Sequence, residues 1–246
     1  MKIIISPSKM QNRKLVLKDD IKRILFPKKT ELIYKKISKL TEEEISDLFN
    51  IRNALLEKTV KSYKEFDLNN TNHAIATYSG FVFKNIDIEK YSDNSINYLE
   101  KHLRILSALY GVMTPLTGIC PYRLDMNVKI SDINLYKIWE KEINDYFLNE
   151  DIIINLASKE FSKILDTKFF NKKIINIEFK EIMKNGKYKI IPSRAKKMRG
   201  LMVNYFAVNE ITDISKIKQF SKLGYKYNDK LSNEFTYIFL NDSKSN

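Results

Sequence analysis

Cysteine and histidine are almost absent from this sequence of 246 residues. A single cysteine, Cys120, cannot form an internal disulfide, and we expect a small buried hydrophobe rather than a redox sensor. The two histidines give no spacing typical of a metal site. No apolar run could span a bilayer, and MKIIISPSKM lacks the apolar region of a signal peptide. We therefore expect a cytoplasmic monomer without metal, cofactor or membrane segment.

Arginine is scarce as well, since only seven of the 43 basic residues are arginines. The net charge of +13 is typical of proteins that bind nucleic acid or another polyanion. Codon drift toward lysine on solvated helix faces would give the same excess of charge. The arginines are more informative, because their rigid fork suits bidentate binding of phosphate or carboxylate. Four of them lie in or beside two short segments: Arg104, Arg123, Arg194 and Arg199.

The apolar patterns predict strands and helices that alternate irregularly. Strands are predicted at Lys2–Ser6, His73–Phe83 (broken at Gly80) and Asp151–Ala157, with a hairpin of Ile174–Phe179 and Tyr188–Ile191 and a final pair within Lys222–Leu240. Helices are predicted within Leu32–Lys61, divided at Thr41–Glu44, and at Ile96–Tyr110, Leu135–Tyr146 and Met198–Phe206. We therefore expect a mixed α/β (α+β) fold with an irregular mixed sheet, as one domain over 1–241 with a polar tail at 242–246.

The segment Ile5–Lys9 reads ISPSK and follows the first predicted strand. Strand ends in α/β proteins commonly bind ligands, so Ser6 and Lys9 could line an anion-binding loop. The same two residues satisfy S-x-x-K, in which a lysine activates a serine nucleophile, although Pro7 favours a turn where those enzymes have a helix. A structural turn is the third alternative. The sequence leaves all three open.

The segment Ile190–Tyr205 places positive charge where helices usually carry acidic residues. Ser193 is predicted to cap a helix whose first turns hold Arg194, Lys196, Lys197 and Arg199. Such cations oppose the helix dipole by about 0.3–1 kcal/mol each, whereas a docked phosphate gains both the N–H groups and the cations. We therefore predict an anion site here, with a solvated basic turn as the alternative. Gly200 predicts a close approach of another backbone segment.

The segment Leu106–Met126 collects turn-forming residues around Arg123. Gly111 is predicted to end the preceding helix, and Arg104 is predicted to lie beside the buried face of that helix. Gly118 is predicted to supply a second turn with positive φ. A glycine turn after a helix exposes backbone N–H groups, as in helix–hairpin–helix modules that hold a DNA phosphate. The alternatives are a structural loop and an internal contact of the arginine with the carboxylate two residues later.

Several of these segments resemble the YaaA family, bacterial proteins associated with the response to hydrogen peroxide. The matching strings are IISPSK, HLRILSALYGVMTPL, PYRLDM, LYKIW, INLAS and AKKMRGLM, followed by a late GY at Gly224–Tyr225. They follow the family's order along essentially the whole chain. The family's Ser-Pro-Ala-Lys-Thr reads Ser-Pro-Ser-Lys-Met here, so Met10 removes a threonine hydroxyl.

The resemblance implies one cytosolic α/β domain with an unusual fold and a positively charged cleft. It also implies a role in limiting peroxide damage, linked to lowering free iron, and DNA binding attributed partly to a helix–hairpin–helix element. Carried over to this sequence, the implied cleft residues are Ser6, Lys9, Arg104, Gly111, Arg123, Lys196, Lys197 and Arg199.

Two functions are open at this point. The first, which we expect, is a stress protein whose basic loops bind DNA phosphates largely without reading bases. The second is an enzyme acting on a small phosphorylated or carboxylated ligand, with Ser6/Lys9 and Lys196/Lys197 as reactive groups. An open groove would favour the first and a deep pocket the second. Direct iron binding would have to rely on carboxylates.

Overall fold

The computed structural model of the protein describes residues 1–11, 15, 17–69, 71–165 and 173–242. These residues form one domain in which helices accompany a mostly parallel mixed sheet, so the predicted mixed α/β fold is confirmed. Of the predicted polar tail, residues 243–246 lie outside the described residues.

The main sheet has nine strands among the described residues. They are β1 (Lys2–Ile5), β3 (Leu103–Ser107), β4 (Gly111–Met113), β6 (Ile152–Asn155), β7 (Lys173–Ile182), β8 (Tyr188–Lys189), β9 (Ser221–Lys222), β10 (Tyr225–Tyr227) and β11 (Thr236–Asn241). Five of them are parallel, in the spatial order β3–β1–β6–β7–β11. The other four pair antiparallel: β4 with β3, β10 with β11, β9 with β10, and β8 with β7. A separate two-stranded sheet joins β2 (Asn72–His73) to β5 (Gly118–Ile119).

The order of the parallel strands creates a switch point beside β1. Numbered along the chain, the five parallel strands lie in the order 2-1-3-4-5, so the connections from β1 and from β3 lead in opposite directions across the sheet. In open α/β sheets, ligands bind in the crevice at the carboxyl ends of the strands where the order reverses. The segments that follow β1 and β6 are therefore where this fold favours a site.

Helices lie in the connections between the parallel strands. They are α1 (Pro27–Ile37), α2 (Glu42–Phe49), α3 (Asn53–Lys64), α4 (Ala74–Thr77), α5 (Asp93–His102), α6 (Leu135–Phe147), α7 (Lys159–Ser162), α8 (Pro192–Val208) and α9 (Ile214–Ile217). Short 3₁₀ helices lie at Phe83–Asn85, Ile88–Lys90 and Asp229–Leu231.

The start of α2 shows how local chemistry fixes an element boundary. The Thr41 hydroxyl accepts a hydrogen bond from the Glu44 N–H at 3.2 Å, and the Thr41 N–H donates to the Glu44 carboxylate at 2.7 Å. This reciprocal capping box satisfies two N–H groups at the helix start. The predicted boundary at this threonine is confirmed, and helices precede and follow it.

Several other predicted elements are confirmed. They are β1, α6, β6, the β7–β8 hairpin turning at Gly186 with φ of 76°, α8, and the antiparallel pair β10 and β11.

The predicted helix at Ile96–Tyr110 is wrong beyond His102. The next five residues form β3, and each of their side chains is buried. Because β3 lies inside the sheet with both faces covered, its apolar residues Leu103, Ile105 and Leu106 do not alternate with a period of two. Gly111 has φ of 74° but follows the turn between β3 and β4, and Gly118 begins β5 without a positive φ. A helix–hairpin–helix is therefore not formed by these residues.

The predicted strand at His73–Phe83 is also wrong. Only His73 belongs to a strand, and the chain turns at once into α4, whose four residues are all buried. The Ala74 N–H donates to the carbonyl oxygen of Thr117 at 2.8 Å, which fixes this turn against β5. Tertiary burial, rather than a pleated strand, explains the apolar residues of the segment.

Trp139 on α6 is fully buried in the core. Its indole N–H donates to the Ala108 carbonyl oxygen at 2.8 Å, and its ring meets Phe26 edge to face at 5.7 Å between centroids. The ring also covers Gly111, where an added Cβ would lie 2.6 Å from it. Gly111 therefore has a packing role.

Cys120 follows β5 and is buried, as predicted. Its thiol donates to the Asp67 carbonyl oxygen at 3.1 Å, and burial raises the pKa of the thiol. The thiolate, which is the form that peroxide oxidises, is thus disfavoured.

Gly200 in α8 lies against the 3₁₀ helix at Phe83–Asn85, as the predicted close approach requires. An added Cβ would overlap the Val82 carbonyl oxygen and lie 2.8 Å from Asn85 Cβ. This contact fixes α8 against the segment that follows Gly80, which also lines the cavity described below.

Gly200→Ala is expected to destabilise the protein by about 1–3 kcal/mol, because the methyl group must displace backbone. In an unobstructed helix interior the same change stabilises by about 0.5–1 kcal/mol. Urea denaturation checks the sign, with Val208→Ala, at an exposed site of the same helix, as the control. A Gly200→Ala protein more stable than wild type would contradict the contact.

Cys120 is expected to react with Ellman's reagent roughly two orders of magnitude more slowly in the native protein than after denaturation, because the buried thiol must be exposed by local unfolding. A Lys39→Cys, Cys120→Ala protein, with its thiol at an exposed position, serves as the fast control. Equal rates for the two native thiols would contradict the assignment of Cys120 as a buried structural residue.

Candidate functional site

A cavity of about 390 Å³ lies at the switch point of the sheet. Its walls come from the segment after β1, the residues after α4, the loop after β5, the segment after β6 and one face of α8. The residues used below are Ser6, Lys9, Tyr122, Asp125, Ser158, Glu160, Lys196 and Arg199. Its volume is within the range of about 300–1,000 Å³ typical of small-ligand sites.

Ser6 and Ser158 join the carboxyl ends of β1 and β6. The Ser158 N–H donates to Ser6 Oγ at 2.8 Å, and Ser6 Oγ donates to Ser158 Oγ at 3.1 Å. The adjacent Leu156 N–H donates to the Ile4 carbonyl oxygen at 2.9 Å, which continues the strand pairing. The Ser6 hydroxyl is thus engaged in holding two cavity walls together.

Lys9 reaches Asp125 rather than Ser6. Its ammonium lies 2.5 Å from the Asp125 carboxylate, with the lysine side chain 55% exposed and that of the aspartate 26% exposed. In the described part of the chain, no hydrogen bond joins the Lys9 ammonium to the Ser6 hydroxyl. The S-x-x-K spacing therefore does not place this lysine as a base for this serine.

Buried tyrosines position the loop that carries Asp125. The Tyr122 hydroxyl forms hydrogen bonds with Ser107 Oγ at 2.7 Å and with the Tyr78 hydroxyl at 2.8 Å. The Tyr110 hydroxyl bonds both the N–H and the carbonyl oxygen of Cys120. Burial raises the pKa of Tyr122 to about 12, so the phenol stays protonated and this wall is rigid.

Glu160 on α7 is half-buried in the cavity wall. Its Oε1 atom is buried and has no hydrogen-bond partner among the described residues. Burial raises the pKa of the carboxyl group, and the negative charge of Asp125 adds to the effect. The backbone N–H groups of Asn127 and Met126 and the Lys9 ammonium oppose it.

Arg199 on α8 lines the same cavity with its guanidinium largely withdrawn from solvent. Its Nε atom is buried without a hydrogen-bond partner, and its side chain has no ion pair with any carboxylate in the described residues. Burial lowers the pKa of the guanidinium, an effect that the charge of Glu178 partly offsets. Lys196, one turn earlier on α8, is exposed at the cavity rim. The cavity wall therefore holds a partly buried guanidinium that forms no ion pair among the described residues and whose Nε–H has no acceptor there.

The remaining predicted site residues lie elsewhere. The Arg104 guanidinium bonds the Tyr146 hydroxyl and the carbonyl oxygens of Glu100 and Leu103, so it is a buried structural group. Arg194 pairs with the buried Glu181 carboxylate, which ties α8 to β7. Lys197 does not line the cavity. Gly111 packs against Trp139.

Arg123 lines a second cavity of about 240 Å³. Lys58 of α3 lines it too, and the first cavity shares with it Lys9, Met10, Gln11 and Tyr122. The two cavities are therefore neighbours on either side of the segment after β1. Among the described residues, Arg123 and Asp125 form no ion pair, and the Asp125 carboxylate pairs with Lys9 instead.

The predicted cap of α8 at Ser193 is wrong. The helix begins at Pro192 and the residue before it is Ile191, without a side-chain cap. Proline suits the first helical position because the missing N–H would be unpaired there. Lys196 and Arg199, three residues apart, lie on the face of α8 that lines the cavity, whereas Arg194 pairs with Glu181 of β7.

Glu160, Ser158 and Tyr122 line the cavity but were not predicted from the sequence as site residues. A signal for the first two was available, since INLASKE follows a buried strand just as ISPSK does. The carboxyl ends of two adjacent parallel strands bring such segments together. Nothing in the sequence shows that β1 and β6 are adjacent.

The described residues contain no group of three or more histidine, cysteine, aspartate and glutamate side chains placed to hold a metal ion. Within the same residues, no helix combines the length and apolar character needed to cross a membrane.

Comparison with known proteins identifies the family. The model of a family described as peroxide stress protein YaaA matches residues 1–231. A UPF0246 protein of Rickettsia felis is 36% identical over 250 residues, covering 98% of this chain and 100% of the relative. UPF0246 proteins of Fusobacterium nucleatum and Finegoldia magna are 38% and 37% identical, covering 97% and 98% of this chain and 98% of each relative. The chain therefore belongs to the YaaA family of peroxide stress proteins.

Proposed function

We propose that this protein acts in the response to peroxide by binding a phosphate-bearing anion, with DNA as the principal partner, at the cavity between β1, β6 and α8. The contacts are made to phosphates, largely without base recognition. The protein acts in the cytoplasm in this proposal, as a binding protein that limits oxidative damage.

The unpaired guanidinium of Arg199 is the observation that carries the proposal. Withdrawing a charge from water is unfavourable unless an opposite charge or hydrogen-bond acceptors compensate for it. No carboxylate of the described residues pairs with Arg199, and its Nε–H has no acceptor there. A phosphate oxygen in the cavity would supply both the charge and the acceptor, with Lys196 at the rim as a second cation.

The neighbouring cavity extends the site in the way that a polyanion requires. Lys58 and Arg123 line it, and Lys9 lies between the two cavities. A strand of nucleic acid presents a series of phosphates, so one phosphate at Arg199 and another at Arg123 would follow one backbone. A single small anion would use only the first cavity.

Phosphate binding gives a physical route to limiting damage by iron. Lysine and arginine that neutralise DNA phosphates release the cations condensed there. Ferrous ions belong to that cation atmosphere, and peroxide reacts with iron where the iron is bound. Displacing iron from the strand moves the chemistry away from the nucleotides in this proposal.

Arg199→Gln is expected to weaken binding of a fluorescein-labelled short duplex about tenfold, since a hydrogen bond to a charged group contributes about 1.5–3 kcal/mol. Lys196→Gln should act in the same direction and make the plot of log affinity against log salt shallower by about 1 for each lost phosphate contact. Fluorescence anisotropy over a range of salt concentrations measures both quantities.

Lys39→Gln is the matched control, because this exposed lysine lines neither cavity. Arg199→Lys keeps the charge but removes the fork, and should recover part of the affinity. Binding that is insensitive to salt, or equal in Arg199→Gln and Lys39→Gln, would overturn the proposal.

A further inference from the structure

Two oppositely charged residues face the same cavity, each with an unsatisfied buried atom. Arg199 Nε and Glu160 Oε1 both lack a hydrogen-bond partner among the described residues. The two side chains form no ion pair with each other among the described residues, and both line the cavity, so a ligand bound there lies beside both of them. The other polar groups nearby are already engaged: Asp125 with Lys9, and Ser6 with Ser158.

A ligand that satisfies both atoms must bring or accept a proton. The Arg199 Nε–H needs an acceptor, which an anion oxygen provides. An ionised carboxylate and an ionised phosphoryl oxygen are both acceptors, so they form no hydrogen bond without a proton between them. One proton is therefore required at the contact with Glu160, whichever oxygen carries it in the free state.

The surroundings of Glu160 make its carboxyl group easier to protonate than an exposed one, although the backbone N–H groups of Asn127 and Met126 oppose this. Burial raises the pKa of the carboxyl group, and the Asp125 carboxylate raises it further. The Lys9 ammonium opposes this from the segment after β1, although it is paired with Asp125. From α8, Lys196 and Arg199 face the cavity, and their positive charge is met by the incoming anion.

Lys163, just after α7, is directed elsewhere, because its ammonium lies 4.1 Å from the centre of the Tyr136 ring. The groups around Glu160 thus leave one carboxyl oxygen free to share a proton with a ligand.

We propose that the cavity binds a phosphate monoester, with one proton shared between Glu160 and a phosphoryl oxygen and with Arg199 as the countercharge. This inference rests on the anion site of the proposed function and specifies its ligand. A monoester has a second pKa of about 6 and can carry the shared proton. An internal phosphodiester of DNA has no such proton near neutral pH. The ligand is thus either a small phosphate monoester or the terminal phosphate of a nucleic acid strand, whose internal phosphates would then follow the neighbouring cavity lined by Arg123 and Lys58.

The sign of the pH dependence follows from this. Below a pH of about 6 the monoester brings its own proton, and affinity changes little. Above both pKa values, neither free partner holds the proton, so binding must take one up from solution. Affinity should then fall by up to about tenfold for each further pH unit.

Isothermal titration calorimetry with thymidine 5′-monophosphate tests the inference between about pH 6 and pH 8.5. At pH 8, titrations in buffers of different ionisation enthalpy should show an uptake approaching one proton per ligand bound. An affinity that stays constant across this range, with no proton uptake by the wild-type protein, would overturn the inference without any variant being needed.

Glu160→Gln is the matched variant, because the carboxamide donates an N–H to the phosphoryl oxygen without titrating. We expect its affinity at pH 8 to be close to its affinity at pH 6, with no proton uptake. A pH profile like that of the wild-type protein in this variant would contradict the role of Glu160. Arg199→Gln separates the two proposals. If this variant binds the nucleotide as well as wild type does, the anion site itself is refuted. If the variant binds more weakly but the wild-type protein takes up no proton, only the shared proton is refuted.

Oligonucleotides of one sequence, with a 5′-phosphate or a 5′-hydroxyl, test the selectivity for a monoester. The phosphorylated strand should bind at least about tenfold more tightly near pH 6.5. The strand with a 5′-hydroxyl lacks the charged contact to the terminal phosphate, and losing such a contact typically has an effect of this size. Equal affinities would overturn the selectivity. Comparison with the mononucleotide identifies the source: a tighter oligonucleotide indicates a strand end, and an equally tight mononucleotide indicates a small free ligand.

Discussion

Hydrogen bonds among buried tyrosines hold residues 120–125 against the sheet, and the cavity depends on that placement. The Tyr122 hydroxyl bonds Ser107 and Tyr78, while the Tyr110 hydroxyl donates to the carbonyl oxygen of Cys120 and accepts from its N–H. A buried polar network that is fully satisfied fixes one arrangement, because any other leaves a donor or acceptor unpaired. The Asp125 carboxylate is thereby held where the Lys9 ammonium pairs with it. The charges of these two residues act on Glu160, whose pKa Asp125 raises and Lys9 lowers.

The fold could be predicted where local chemistry decides it. Thr41 and Glu44 cap α2 with groups three residues apart, so no distant contact is needed. The error between His102 and Ser107 has the opposite cause. The apolar residues of a short, fully buried strand can match the spacing of a helix face, and only the pairing of β3 with β1 distinguishes the two here.

In the candidate site, too, some residues could be predicted from the local sequence and others depend on distant contacts. ISPSK and AKKMRGLM were identified from residue type, and the structure brings Ser6, Lys9, Lys196 and Arg199 to one cavity. Arg104 belongs to the fold instead, because a strand buried on both faces leaves its guanidinium only protein groups to bond. Glu160 is unremarkable as one acidic residue in a polar segment. Its environment comes largely from α8 and the tyrosine-held loop, which are distant from it in the chain.

The position of β1 inside the sheet also governs the order in which the protein can assemble. This first strand pairs with residues 103–105 on one side and 153–155 on the other. At about 5–20 residues per second, the ribosome needs roughly 8–30 s after making β1 before its second partner exists. Contacts between residues this far apart in sequence slow folding, because the long loop between them must close before the contact forms. Until β6 emerges, one edge of the apolar N-terminal strand stays unpaired, and the cavity, whose wall includes α8, cannot be complete.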